Sequence, residues 1–221
     1  MKKRKITIIE STLVPLAELK KTFQTILPEV TVTSITDESL LSEMEENNCL
    51  TPGLIKRYCA YAAFAESNGS DLIFNQCSSI AEAGDIAQKL VNIPILRTDL
   101  PMAEKAVETG TRIGIVATAE TTIGPTQRLI QNVAKSKGKN IELVTRMHRD
   151  AFLLVAKGDR EGHNNILLNS INTLQNEVDV IILAQGSMAV LHSVLKDIKV
   201  PVLSSLESGV LRCKEMLEKM I

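Results

Sequence analysis

Cys77 sits in the segment Asp71-Leu-Ile-Phe-Asn-Gln-Cys-Ser-Ser. The apolar residues before it read as a buried strand, Asp71–Asn75. Ser79–Val91 after it reads as a helix. A thiol at that junction meets the exposed N–H groups and positive end of the helix, which favour the thiolate. A thiolate of that kind can remove and return a proton near neutral pH. A cysteine used only for packing is the plainer alternative. The polar escort, Asn75-Gln76 before and Ser78-Ser79 after, favours chemistry. Glu10, after the apolar run Lys5–Ile9, could orient Cys77 or take up its proton. A carboxylate on a solvent-facing loop is its alternative, and Glu120 is a weaker counterpart.

These residues must be positioned by an alternation of strands and helices. Strand-like runs are predicted at Lys5–Ile9, Val30–Ile35, Asp71–Asn75, Ile93–Leu96, Arg112–Val116, Ile141–Val144, Asp179–Ala184 and Val200–Leu203. Helical patterns are predicted at Val14–Leu27, Pro52–Asn68, Ser79–Val91, Met102–Thr109, Pro125–Lys137, His163–Glu177, Met188–Lys196 and Gly209–Met220. This order predicts an α/β protein of parallel sheets covered by helices.

The pattern also restarts. Asp71–Ser79 lies over Asp179-Val-Ile-Ile-Leu-Ala-Gln-Gly-Ser at an offset of 108 (71 to 179). Ile93-Pro-Ile-Leu lies over Val200-Pro-Val-Leu, and Lys5–Ser11 over Arg112–Thr118, each at 107 (93 to 200, 5 to 112). Two pseudo-symmetric doubly wound halves are therefore predicted, residues 1–103 and 104–206. In open parallel sheets ligands bind beyond the carboxyl ends of the strands. Two facing halves would put Cys77-Ser78-Ser79 and Gln185-Gly186-Ser187 across one cleft. N–H groups at helix starts and a close backbone approach at Gly186 suit a carboxylate or an enolate. Helix capping by the same serines is the competing role, and both roles can hold together.

Composition narrows the classes. Of 221 residues, 44% are hydrophobic and 3% aromatic, so the core must be aliphatic. The formal charge of −1 and pI of about 6.3 leave no basic domain for nucleic acid. The basic run Lys135–Lys139 reads as a solvated helix end. No stretch approaches ~18 apolar residues, so no membrane span is expected. The apolar stretch near the N-terminus is short and broken by Glu10, which argues against a signal peptide. Cys49, Cys59, Cys77 and Cys213 show no C-x-x-C spacing and are expected as reduced thiols in the cytoplasm. His148, His163 and His192 lack paired ligand spacing, so no metal site is expected. No G-x-G-x-x-G or P-loop follows a strand, and no cofactor is expected.

An Asp at a strand start, a Cys six residues on and small hydroxyl residues after it resemble the aspartate/glutamate/hydantoin racemases. Cys77-Ser78-Ser79 is similar to that family's first-half Cys-Asn-Thr type segment, and Glu10-Ser11 to its Asp-Ser pair. Ile113–Thr118 resembles the opening strand of its second half. The likeness runs through both halves and implies that the last helix, 207–221, packs back on the first. It also implies proton transfer by two cysteines on opposite faces of an acidic carbon, without a pyridoxal cofactor. The substrate would be a small carboxylate held by Ser11, Ser78, Ser79, Thr118, Thr121, Gln185, Gly186 and Ser187, with Thr122 lining the same cleft. Side-chain specificity is expected from the loops Asp37–Asn48 and Ala119–Thr126.

The second cysteine of that pattern would fall at position 185, where this chain has Gln. The position often His in glutamate racemases is Ser187. An amide cannot donate or accept a proton near neutral pH. Three readings follow. Cys77 pairs with a non-cysteine partner in a racemase or isomerase; or it works alone on one face, as in arylmalonate decarboxylases; or Gln185 binds and the reaction differs. A non-catalytic protein that binds small carboxylates is the rival from outside enzymology. A homodimer or higher homo-oligomer stays open.

Overall fold

In the computed structural model the described residues are 3–12 and 16–220, with Ala156 described by its backbone only. The elements run β1 (Lys5–Glu10), α1 (Leu16–Ile26), β2 (Thr31–Thr36), α2 (Glu38–Asn47), α3 (Pro52–Ser67) and β3 (Leu72–Asn75). A 3-10 turn, Ser78–Ile80, leads into α4 (Ala81–Ala87), β4 (Ile95–Arg97) and α5 (Leu100–Thr109). Then come β5 (Arg112–Ala117), α6 (Glu120–Ser136), β6 (Glu142–Met147), α7 (Arg149–Ala156), α8 (Arg160–Leu174) and β7 (Val180–Leu183). A 3-10 helix, Gly186–Ser193, precedes β8 (Val202–Leu203) and α9 (Ser205–Lys219). The chain divides into two compact units, Met1–Asp99 with Leu206–Ile221, and Leu100–Ser205.

Each unit holds one four-stranded parallel sheet, in the order β2-β1-β3-β4 in the first and β6-β5-β7-β8 in the second. The duplication reaches the register. Ile9 pairs with Asn75, and Val116 with Leu183. Phe74 pairs with Leu96, and Ile182 with Leu203. In both sheets the chain leaves the first strand in one direction and returns to the other side of it. That makes the carboxyl ends of β1 and β3, and of β5 and β7, topological switch points, where such sheets leave a crevice.

Helices cover both faces of each sheet. In unit 1, Ile9 and Ile73 pack with Leu54, Tyr58 and Ala62 of α3 and Ala83 and Ala87 of α4. On the other side the Phe23 ring of α1 meets Phe74 edge-on, with centroids 5.2 Å apart. Helix α9 closes that side: a Cβ at Gly209 would lie 3.0 Å from the Phe74 ring and 3.1 Å from the Thr98 carbonyl, so only glycine lets it approach so closely. In unit 2, Ile113, Ile115 and Ile182 pack on α5 and α6. Val116, Ile181 and Leu183 pack on α8, Ala151 and the 3-10 helix.

An aspartate fixes the amino end of each sheet. Asp71 Oδ2 accepts the Lys5 N–H at 2.8 Å, and Oδ1 accepts from Arg4. Asp179 Oδ2 accepts the N–H groups of Thr111 and Arg112, both at 2.8 Å. The aspartate that opens the Cys77 motif is therefore a structural clamp at the end of the strand opposite the cysteine.

Several predicted elements differ. Asp37–Asn48, expected as a loop, is helix α2, capped by the Asp37 side chain on the Ser39 N–H. Ala119–Thr126, also expected as a loop, is the start of α6, and Pro125 lies inside that helix rather than at its start. Helix α7 was not predicted. Helix α4 ends at Ala87, short of Val91, and the predicted helix Met188–Lys196 is instead the 3-10 segment. The closing helix starts at Ser205 rather than Gly209. Val14 and Pro15 in the first predicted helix lie outside the described residues. Among the described residues no helix is long and apolar enough to cross a membrane.

Candidate active site

The switch point of unit 1 gathers Glu10, Ser11, Cys77, Ser78 and Ser79. Parallel pairing of β1 with β3 brings their carboxyl ends together, and the Gln76 N–H donates to the Ile9 carbonyl at 3.1 Å. Glu10, Ser11, Ser78 and Ser79 are buried, whereas Cys77 is partly exposed. The backbone N–H groups of Ser79 and Ile80, in the 3-10 turn, lie close enough to the Cys77 thiol to favour its ionised form. Among the described residues the Ser11 hydroxyl makes no hydrogen bond of good geometry. It nonetheless lies close enough to the thiol to favour its ionised form.

Burial raises the Cys77 pKa, and it outweighs Ser11 and the two N–H groups that lower it; ionised Glu10 raises it further. The expected lowering at a helix start is therefore reversed. A three-residue 3-10 turn supplies two N–H donors but little macrodipole, and desolvation of the thiolate wins. Glu10 is fully buried, and among the described residues neither carboxyl oxygen has a hydrogen-bond partner. Burial pushes its pKa up to about 8, against a smaller opposing pull from Lys20. At neutral pH Glu10 is mostly an uncharged acid beside an uncharged thiol.

Polar residues that motif reading missed lie behind Cys77. Thr98 Oγ1 donates to the Asn75 carbonyl at 2.9 Å and reaches Gln76 Oε1 at 3.1 Å. Arg97 and Asp99 form a buried two-point pair, Nε–Oδ1 and Nη2–Oδ2 both 3.1 Å. Tyr58 is fully buried, and its hydroxyl has no hydrogen-bond partner among the described residues. The charged residues that end the apolar strand Ile95–Arg97 were the available signal. They carry no motif spacing.

Unit 2 fills its switch point differently. Gln185 Oε1 accepts the Thr118 N–H at 3.0 Å, and Gln185 Nε2 donates to Thr118 Oγ1 at 2.7 Å. The two residues occupy the places of Cys77 and Ser11 in the repeat. Thr118, Thr121 and Thr122 are buried, and the Thr122 hydroxyl donates to the Ala119 carbonyl within its own turn. Gln185 and Gly186 are half-buried, and Ser187 is exposed.

The histidines lie apart from both constellations in their bonding. His148 Nε2 meets the Ser170 hydroxyl at 2.6 Å, and burial lowers its pKa. His163 is buried with Asn164, and exposed His192 meets Ser204. Among the described residues no group of His, Cys, Asp and Glu could hold a metal ion. Cys213 is buried and Cys49 exposed.

Solved structures share this fold. The glutamate racemase of Francisella tularensis, in complex with D-glutamate, is 16% identical, with a TM-score of 0.75 over 99% of this chain and 82% of that one. The aspartate racemase of Picrophilus torridus is 16% identical, with a TM-score of 0.75 over 97% and 94%. The allantoin racemase of Klebsiella pneumoniae is 15% identical, with a TM-score of 0.72 over 99% and 89%. No curated protein matches the chain by sequence. The family model for Asp/Glu/hydantoin racemases matches residues 10–213, nearly the full length. The chain belongs to the Asp/Glu/hydantoin racemase family.

Proposed function

We propose that this racemase-family chain moves a proton at the carbon next to a carboxylate of an amino acid or small carboxylic acid, with Cys77 as its one thiol acid/base. One observation carries the proposal: a partly exposed thiol beside two backbone N–H groups that favour its ionised form, at the switch point of a parallel sheet and next to buried Glu10. Those N–H groups favour the thiolate when a substrate proton is to be taken. Ser11, Ser78 and Ser79 supply hydroxyls for the substrate carboxylate. Glu10, uncharged at neutral pH, can donate to a developing enolate oxygen or exchange a proton with Cys77. The thiol acts directly on an acidic C–H, so the proposal requires no cofactor.

Gln185 stands in the place of the family's second cysteine in this reading. Its amide carries no exchangeable acid near neutral pH. A one-thiol outcome therefore follows: α-proton exchange or decarboxylation of the arylmalonate type with Cys77 alone, or isomerisation with a non-cysteine partner. The raised thiol pKa favours a second reading, a protein that binds small carboxylates without turnover, because binding has no use for an activated thiolate.

The test is proton exchange in D2O. Enantiopure glutamate, aspartate and allantoin are incubated with the enzyme and with Cys77→Ser, then followed by NMR and chiral chromatography. Solvent deuterium at the acidic carbon, lost in Cys77→Ser, is the expected result. Binding of these compounds with exchange equal to the uncatalysed rate would leave the binding protein as the answer.

A further inference from the structure

Two buried amides, Asn75 and Gln76, precede Cys77 at the end of β3. At the same places of the repeat (75 to 183, 76 to 184) unit 2 has Leu183 and Ala184, both buried. The strand register is the same in both halves, since Asn75 pairs with Ile9 as Leu183 pairs with Val116. The sheet itself therefore has no need of an amide there. Only the half that carries the thiol has one.

The Asn75 amide spans the loop that bears the cysteine. The Ala81 carbonyl can only accept, so the Asn75 atom facing it at 3.0 Å is Nδ2. That bond ties the last residue of β3 to the first residue of α4, across residues 76–80. Gly84 leaves room for it, because a Cβ there would lie 2.6 Å from Nδ2. The amide oxygen has no partner among the described residues, and a buried acceptor left that way costs free energy. A leucine, as in unit 2, would serve better if packing were the only demand. The peptide that opens the loop is held from both neighbouring strands. The Gln76 N–H donates to the Ile9 carbonyl at 3.1 Å, and the Asn75 carbonyl accepts the Thr98 N–H at 3.0 Å and the Thr98 hydroxyl at 2.9 Å.

We infer that Asn75 is a positioning residue whose amide closes residues 76–80 into a fixed loop and so sets where the Cys77 thiol stands, with Gly84 admitting that amide. This rests on the reading of Cys77 as the acid/base group.

Asn75→Leu keeps the volume and removes the donor. Gly84→Ala leaves residue 75 in place and pushes its amide aside, so it decides the matter where Asn75→Leu does not fold. The readout is the rate of iodoacetamide alkylation at Cys77 at neutral pH, followed by mass spectrometry, with buried Cys213 as the reporter of general opening. A loosened loop admits water and reagent to a thiol that burial holds protonated. Both variants are expected to alkylate Cys77 about fivefold faster or more, with Cys213 unlabelled over the same interval. Exchange in D2O, where wild type shows it, should fall in the same variants. A more reactive thiol in a less active enzyme is not what a smaller folded fraction produces. Cys77 alkylated at the wild-type rate or slower would overturn the inference and leave the Cys77 reading standing. Acceleration only together with labelling of Cys213 would overturn it too, and assign Asn75 to stability alone. Absence of exchange in wild type would remove the Cys77 reading, whereas the alkylation comparison needs no substrate and decides the role of Asn75 by itself.

Discussion

Replacing Glu10 by Gln should flatten the pH dependence of stability. In the folded chain the Glu10 carboxyl titrates at about 8 instead of its ordinary 4.5. Below the lower value the acid is protonated whether the chain is folded or not, and it imposes no penalty. Between the two values unfolding releases a proton, so stability falls as pH rises, and above about 8 the loss is complete. Linkage gives a loss of about 4 kcal/mol between about pH 5 and about pH 8.5. A glutamine of nearly the same shape does not titrate, so Glu10→Gln should lack this component. The assay is urea unfolding by far-UV circular dichroism at those two pH values; the chain has no Trp to report instead. With a slope of about 3 kcal/mol/M, the wild-type midpoint should fall by somewhat over about 1 M more than that of the variant. Parallel shifts in the two proteins would mean that Glu10 ionises freely in the folded chain, refuting its buried, protonated role.

Two further outcomes follow from the same residues. Iodoacetamide should alkylate Cys77 with an apparent pKa above the ordinary thiol value of about 8.5, and Glu10→Gln should lower it, because ionised Glu10 opposes the thiolate; mass spectrometry that finds Cys77 ionised at neutral pH would contradict the burial argument. Gly84→Ala should destabilise unit 1 by about 1–3 kcal/mol, since the new methyl would lie 2.6 Å from Asn75 Nδ2, which donates to the Ala81 carbonyl. Gly53→Ala, which meets only an ordinary contact at 3.4 Å, is the control and should be neutral or stabilising in thermal melts.

The sequence exposed the duplication well because the strands carry it. Buried parallel strands tolerate little but Ile, Val and Leu, so Asp71–Ser79 and Asp179–Ser187 keep a common outline at low identity. Helix α2 escaped because only Leu40 and Met44 of it are buried, one apolar pair among charged residues. Helix α6 was cut short because Pro125 reads as a helix start. In the structure the first turn forms upstream, with the Thr122 N–H on the Ala119 carbonyl at 3.2 Å. In the site, residue types named Cys77, Glu10 and Gln185. They did not reveal that the Gln185 amide is spent on Thr118, because that depends on which atoms meet. The direction of the thiol pKa was also hidden, since a sequence shows a helix start but not how much water reaches it.

Helix α9 gives the chain an order of assembly. Unit 2 is one uninterrupted stretch, so all its strands have their partners once β8 has been made. Unit 1 is synthesised first but lacks the helix whose Gly209 lies against Phe74 and the Thr98 carbonyl. On the ribosome, the half bearing Cys77 must wait with one side of its sheet covered by α1 but not by α9 while the other half folds ahead of it. That side of the sheet is then closed only by residues translated after the whole of unit 2. A nascent chain released before α9 would carry the cysteine but leave the edge of Phe74 that Gly209 covers open to chaperones.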